Sequence, residues 1–175
     1  MKSTLKNRVA QAGVRLLKTP ETLPGESLMG YILRLTEANY YESPQWILDL
    51  AGLKFSGLNP GWRILCRERT DLAIFSRITG LNADEIAQLK HQILTEGEFH
   101  REVCQAHQGL PLDDIDFKDP QVCVECLRES GHCRKLWDLK IMTVCPRHRV
   151  KLLDQCSACG LMPRRGIARE FIERY

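Results

Sequence analysis

The chain has 175 residues, 43% of them hydrophobic and 27% charged, with a formal net charge of +3 at neutral pH. That is the composition of an ordinary globular chain long enough for one or two small cores, and it excludes a low-complexity or collagen-like polymer. No run approaches the eighteen or more apolar residues of a membrane span, so no membrane association is expected.

The charge is unevenly placed. Lys2, Lys6, Arg8, Arg15 and Lys18 precede the first acid, Glu21. From Lys140 to Tyr175, eight Lys or Arg stand against Asp154, Glu170 and Glu173. Asp113, Asp114, Asp116 and Asp119 form an acidic patch between these ends. Basic ends suit a polyanion, nucleic acid being the commonest, although a charge run also serves as plain solvated surface.

In chain order, residues 1–22 read as a basic arm and 23–96 as a helical, helix-turn-helix-like domain. Residues 97–119 read as an acidic linker, 120–162 as a zinc-finger module and 163–175 as a basic tail. Pro24-Gly25-Glu26-Ser27 opens an amphipathic helix with Leu28, Tyr31, Ile32 and Leu35 on one face. Ser43-Pro44 starts a second helix, striped by Trp46, Ile47, Leu50 and Ala51 and ended by Gly52. Phe55 to Trp62, with Gly57, Asn59, Pro60 and Gly61, reads as a loop.

Thr70 is then expected to cap a short helix bearing Leu72, Ile74, Phe75 and Ile78, which stops at Gly80. Asn82 begins another, with Glu85 at the capping-box position and Ile86, Leu89 and Ile93 buried. Two short helices joined by a glycine turn make a helix-turn-helix candidate, a hairpin that many helical bundles also contain. Asp84 and Glu85 at the start of its second helix would repel a phosphate, which argues against direct DNA reading there. Farther on, Trp137, Leu139, Ile141 and Thr143 alternate as a strand from Leu136 to Cys145, and Arg149 to Leu153 reads as a short turn of helix.

The most specific signal lies between Cys123 and Cys159. Cys123 and Cys126, Cys145 and His148, and Cys156 and Cys159 are three pairs, each with two residues between its members. Such spacing lets a knuckle turn aim both donors at one point, and two knuckles supply the four tetrahedral ligands of structural zinc. Cys123, Cys126, Cys145 and His148 are thus expected to hold one Zn2+. A second site on Cys156 and Cys159 would draw on Cys104 and His107, another C-x2-H pair. A disulfide framework and a thioredoxin-like redox pair are the competing readings, but the second wants a βαβ setting that is not found, and Met1-Lys2-Ser3-Thr4-Leu5-Lys6 shows no secretory leader and points to a reducing, cytoplasmic compartment. Cys66 and Cys133 are expected to pack as small hydrophobes, and His132, in a turn-like stretch, to be solvated; His91 and His100 carry no signal. Arg147, Arg149, Lys151, Arg164 and Arg165 form the candidate nucleic-acid-binding cluster, placed around the zinc module rather than on the hairpin.

Two separated motifs carry a family resemblance. Pro24-Gly25-Glu26-Ser27-Leu28 with Arg34-Leu35-Thr36-Glu37-Ala38-Asn39 matches an opening P-x-E-S-L and R-L-x-x-A-N. Cys123, Cys126, Trp137, Cys145, His148, Leu152, Cys156 and Cys159 follow the order C-x2-C, tryptophan, C-x-x-H, leucine, C-x2-C. The chain resembles TniQ, the family that includes TnsD of Tn7-like transposons. The resemblance implies a mainly α N-terminal helix-turn-helix-like domain followed by a small zinc-ribbon or zinc-finger α+β module. It further implies a non-catalytic bacterial adaptor for transposition target selection that engages the AAA+ ATPase TnsC. The compact length is similar to that of the short members in type V-K CRISPR-associated transposons. This implies a CRISPR effector (type V-K or Cascade) and a guide-RNA scaffold or target DNA as partners. Short relatives carry a further cysteine-rich knuckle, whereas Met162 to Tyr175 here holds no Cys or His. Either Cys156 and Cys159 use an upstream pair, or the second metal site is absent or incomplete.

A zinc-containing helix-turn-helix transcription regulator is the alternative, and it would call for a basic recognition helix. Catalysis has the least support. There is no G-x-x-x-x-G-K-[ST] phosphate loop, and Asp113, Asp114 and Asp116 lack the strand-rich scaffold that positions two metal ions.

Overall fold

A computed structural model describes residues 15–53, 71–91, 115 and 121–155. Five α-helices lie within these residues: α1 (Leu28–Ala38), α2 (Gln45–Leu50), α3 (Ala73–Thr79), α4 (Ala83–Leu89) and α5 (Val124–Ser130). A single turn of 3-10 helix, Lys135–Asp138, follows α5. Extended pairing among the described residues is confined to isolated antiparallel bridges. None of the helices is long and apolar enough to cross a membrane.

The first helix forms where the sequence places it. Ser27 has extended backbone, and its Oγ accepts from Gly30 N–H at 3.0 Å, satisfying one of the free donors of the first turn. Tyr31, Ile32 and Leu35, spaced three and four apart, are fully buried and make the centre of the core. Phe75 of α3 meets Tyr31 edge-on, centroids 6.4 Å apart and planes at 78°. The Tyr31 hydroxyl donates to Pro20 O at 2.8 Å, which draws the preceding segment onto the helix. Burial among these groups pushes the Tyr31 phenol up to about 12.

Helix α2 starts one residue later than Ser43-Pro44 suggests, with Ser43 Oγ accepting from Gln45 N–H at 3.2 Å. Its stripe is rotated from the expected one. Ile47, Leu48 and Ala51 are buried, while Trp46 is 54% exposed. Leu48 meets the core in its place, because a helix of six residues has room for one inward face only. Gly52 reverses the chain at φ +73°, and Leu53 N–H closes the end on Leu48 O at 2.8 Å.

Helices α3 and α4 follow one another across the expected glycine turn, but α3 begins only at Ala73, with Leu72 rather than Thr70 at its N-cap. Gly80 ends α3 in the left-handed region, and Asn82 and Glu85 exchange both bonds of a capping box, 2.9 and 2.8 Å. Ile86 and Leu89 are buried, in agreement with the sequence pattern. Thr70, Ile93, the Phe55–Trp62 loop and residues 97–119 other than Ile115 lie outside the described residues, as do the arm before Arg15 and the tail.

Two expectations for the C-terminal half do not hold. Leu136 to Cys145 is not a strand: Lys135–Asp138 turns as 3-10 helix, burying Trp137 and Asp138 together, and only Leu139 and Val144 form single bridges. The alternation comes from residues whose burial has another origin, since Ile141 is 84% exposed and Trp137 is held by the turn. Arg149 to Leu153 forms no helix. Val144 pairs with Lys151 and Val122 with Leu153, so residues 151–153 run between the two ligand-bearing segments. Arg149, at φ +57°, makes the reversal that a helix could not accommodate.

The two halves are joined by main chain. Ser27 N–H donates to Cys133 O at 3.0 Å and Lys135 N–H to Gly25 O at 2.9 Å, around the Glu26–Arg134 bridge. Gly30 is required at this seam, because a Cβ there would lie 2.8 Å from Cys133 O. Cys133 is buried against it, as expected of a small hydrophobe.

At the same seam Glu26, with a fully buried side chain, takes Arg34 Nε on Oε1 at 2.7 Å, and Arg34 Nη2 and Leu23 N–H on Oε2. Arg34 retains 19% side-chain exposure. Removing the cation therefore strands a buried carboxylate, whereas removing the negative charge leaves a guanidinium that reaches water. Arg34→Met should cost roughly 3–5 kcal/mol and Glu26→Gln about 1 kcal/mol or less in urea unfolding. Burial raises the Glu26 pKa above 4.5 despite the pull of Arg34. The folded chain thus holds this proton more tightly than the unfolded chain. Its contribution is full below pH 4.5 and is lost as pH rises through the raised value, a slope that Glu26→Gln should remove.

Candidate metal centre

Four of the residues singled out by spacing come together in the structure. One ligand atom from each of Cys123, Cys126, Cys145 and His148 can be chosen so that all lie within 4.8 Å of one another. Cys123 immediately precedes α5 and Cys126 lies in its first turn, so the helix start folds both sulfurs toward one side. Cys145 and His148 flank the turn at Pro146 and Arg147. This second knuckle is closed by Arg149 N–H to Cys145 O and Cys145 N–H to Val150 O, both 2.8 Å. The Val122–Leu153 and Val144–Lys151 bridges hold the two knuckles face to face.

His148 Nδ1 lies 3.3 Å from Cys126 Sγ, 3.5 Å from Cys123 Sγ and 3.7 Å from Cys145 Sγ; Cys126 and Cys145 sulfurs are 3.7 Å apart. A tetrahedron with metal–sulfur bonds of about 2.3 Å and a metal–nitrogen bond of about 2.0 Å has edges of about 3.5 to 3.8 Å. The donors fit such an ion. Three soft sulfurs and an imidazole also suit a borderline transition metal rather than calcium or magnesium, which take oxygen.

The three cysteines are free and buried. Burial opposes ionisation of Cys145, yet His148 N–H at 3.5 Å, the His148 side chain and Arg147 N–H outweigh it and bring the thiol down to about 6. Burial beside the other two sulfurs pushes Cys126 up to about 12 and raises Cys123. Three negative sulfurs cannot share this space without a cation, which is what a bound metal supplies.

Glu129 joins this cluster of side chains, although the sequence pattern gives it no direct motif. It lies on α5 three residues after Cys126, and its Oε1 meets His148 Nε2 at 3.0 Å. With Nε2 held by the carboxylate, Nδ1 is the nitrogen presented to the sulfurs, an arrangement that fixes both ring orientation and tautomer. The bond to Glu129 raises the His148 pKa, and His148 in turn lowers that of Glu129. Arg147 Nη2 meets the other Glu129 oxygen at 3.0 Å. The i, i+3 offset from Cys126 on a helix is the one available signal.

Arg147, Arg149 and Lys151 are exposed around the second knuckle, Arg147 being engaged by Glu129. Cys156, Cys159, Arg164 and Arg165 lie outside the described residues, as do Cys104 and His107. His132, expected in solvent, is 5% exposed, with Nδ1 at 3.2 Å from Ser130 O. It follows Gly131, where α5 ends in the left-handed region, and its neighbour Cys133 lies on the seam against Gly30. His91, which carries no sequence signal, pairs with Asp138 at 3.1 Å.

Glu129→Ala should weaken metal binding by roughly 10–100-fold while leaving the four ligands in place. Competition against a chromophoric chelator measures it, and an unchanged affinity would remove Glu129 from the site.

Comparison with known families places this geometry in context. No curated protein matches the chain. A family model described as TniQ matches residues 17–152, taking in α1, the helical hairpin, Glu129 and all four clustered ligands. TniQ is a transposition-associated family, and with a match over well more than half of its 175 residues this chain belongs to it.

Proposed function

We propose that the chain is a non-catalytic adaptor for transposon target-site selection. It links a CRISPR RNA-guided targeting complex, built on a type V-K effector or on Cascade, to the AAA+ ATPase TnsC. The observation that carries this reading is the unbroken family match across both the helical residues and the Cys3His cluster. The cluster supports a structural role, because four protein donors fill a tetrahedral ion and leave no position for substrate. A pull-down with the tagged chain from its native operon tests the reading. TnsC should be retained with or without RNase, whereas the guide RNA should disappear on RNase treatment. Recovery of neither TnsC nor a targeting complex would overturn the proposal.

The ion assigned to Cys123, Cys126, Cys145 and His148 is Zn2+, which favours tetrahedral thiolate and imidazole donors and carries no redox chemistry. Binding needs deprotonated thiols and so is coupled to folding. Cys145→Ser should lose the metal by elemental analysis and, with it, the cooperative unfolding of the C-terminal half. A metal-free wild-type chain whose residues 121–155 still unfold cooperatively would contradict the assignment. A second zinc per chain that disappears in Cys156→Ser/Cys159→Ser would place the remaining pair in a site of its own.

Binding of the guide-RNA scaffold or target DNA is assigned to the cations of the second knuckle and tail, Arg147, Arg149, Lys151, Arg164 and Arg165. The start of α4 is an unsuitable alternative, since Asp84 and Glu85 occupy its first turn. Reversing charge at Arg147, Arg149 and Lys151 should weaken RNA binding and flatten its dependence on salt. The log–log slope should fall by up to about one unit for each phosphate that is no longer neutralised. Equal affinity and slope in mutant and wild type would make these residues plain surface.

A further inference from the structure

The segment between the two ligand pairs grips the helical hairpin as well as α1. Lys135 Nζ donates to Gln88 O and, at 3.3 Å, to Lys90 O, carbonyls at the C-terminal end of α4. One turn of 3-10 helix later, Asp138 Oδ2 meets His91 Nε2 at 3.1 Å, with side-chain exposures of 6% and 7%. Both interactions come from a stretch whose ends are fixed by Cys126 on one side and Cys145 on the other. Its middle is pinned to α1 by Ser27 N–H to Cys133 O and Lys135 N–H to Gly25 O. Lys135 and Asp138 therefore have their positions set by the metal cluster behind them and by α1 in front.

We propose that this clamp transmits metal occupancy to the hairpin, so that losing the metal frees the C-terminal end of α4 along with the metal module. The inference rests on the metal reading given above and adds a route by which the cluster governs a surface outside it. Removing the ion leaves three sulfurs and an imidazole with no common partner, and the knuckles separate. The 3-10 turn then loses the fixed ends that hold Lys135 over the α4 carbonyls and Asp138 against His91. Helix α4 touches α1 as well, whereas α2 packs on both α1 and α3 and keeps its protection through the buried Ile47 and Leu48. In this sense the cluster is a strut for the hairpin, and the hairpin's outer end is ordered only in the metal-loaded chain.

Hydrogen exchange of the full chain, read by mass spectrometry with and without a zinc chelator, tests this. Metal content is measured first. The wild type should hold metal, and chelation should speed exchange in residues 83–91 and 123–148 by at least about tenfold while residues 45–50 stay protected. In Lys135→Met/Asp138→Asn, metal should remain bound, exchange in 83–91 should already be fast, and chelation should change that segment no further. Chelation that frees 123–148 and leaves 83–91 protected would overturn the clamp, as would uniform unfolding of the whole chain. A wild-type chain that carries no metal would overturn the metal reading, and the clamp with it, at the first step. Should the double variant fail to fold, the wild-type exchange pattern decides alone.

Discussion

Four donors from two knuckles must arrive at one point, although eighteen residues separate Cys126 from Cys145. That convergence organises the C-terminal half. It fixes the start of α5, sets the turn at Pro146 and brings residues 151–153 between the ligand-bearing segments. Regular secondary structure contributes little stability here, since a seven-residue helix and isolated bridges are marginal by themselves. The intervening chain is forced into a compact arch, and its inner side offers Cys133 O, Lys135 and Asp138 to the helical half.

The opening motif acquires a physical meaning against this arch. Ser27 caps α1 with its side chain and bonds Cys133 with its main chain. Glu26 neutralises Arg34 while pairing through its backbone with Arg134, so a buried charge marks the place where the halves meet. Leu28 and Leu35 are buried, and Asn39 ties the end of α1 to Lys18 through bonds of 3.0 and 2.7 Å. Each of these motif residues thus either caps, packs or joins.

Legibility in the sequence follows the range of the interaction. Caps and glycine stops depend on neighbours within a few residues, and Ser27, Gly52, Gly80 and the Asn82–Glu85 box are all readable. The Cys3His convergence is readable because ligand spacing states a distant pairing in local form. Leu136 to Leu153 misleads because its shape comes from the cluster and from α4, neither of which leaves a local period. Trp46 has the size of a core residue, although the inward face of so short a helix is filled by Leu48. His91, Glu129 and Gly30 act through partners 47, 19 and over 100 residues away, and of the three only Glu129 has a local cue, its offset of three from Cys126.

The proposed binding of one zinc by Cys123, Cys126, Cys145 and His148, through three sulfurs and His148 Nδ1, underlies the arrangement of the C-terminal half. X-ray absorption at the zinc edge tests it most directly, on a Cys156→Ser/Cys159→Ser chain so that only this cluster reports. Three sulfur scatterers at about 2.3 Å and one imidazole nitrogen at about 2.0 Å are expected, with no oxygen shell. A sphere of oxygen and nitrogen alone, or four sulfurs without imidazole, would contradict it.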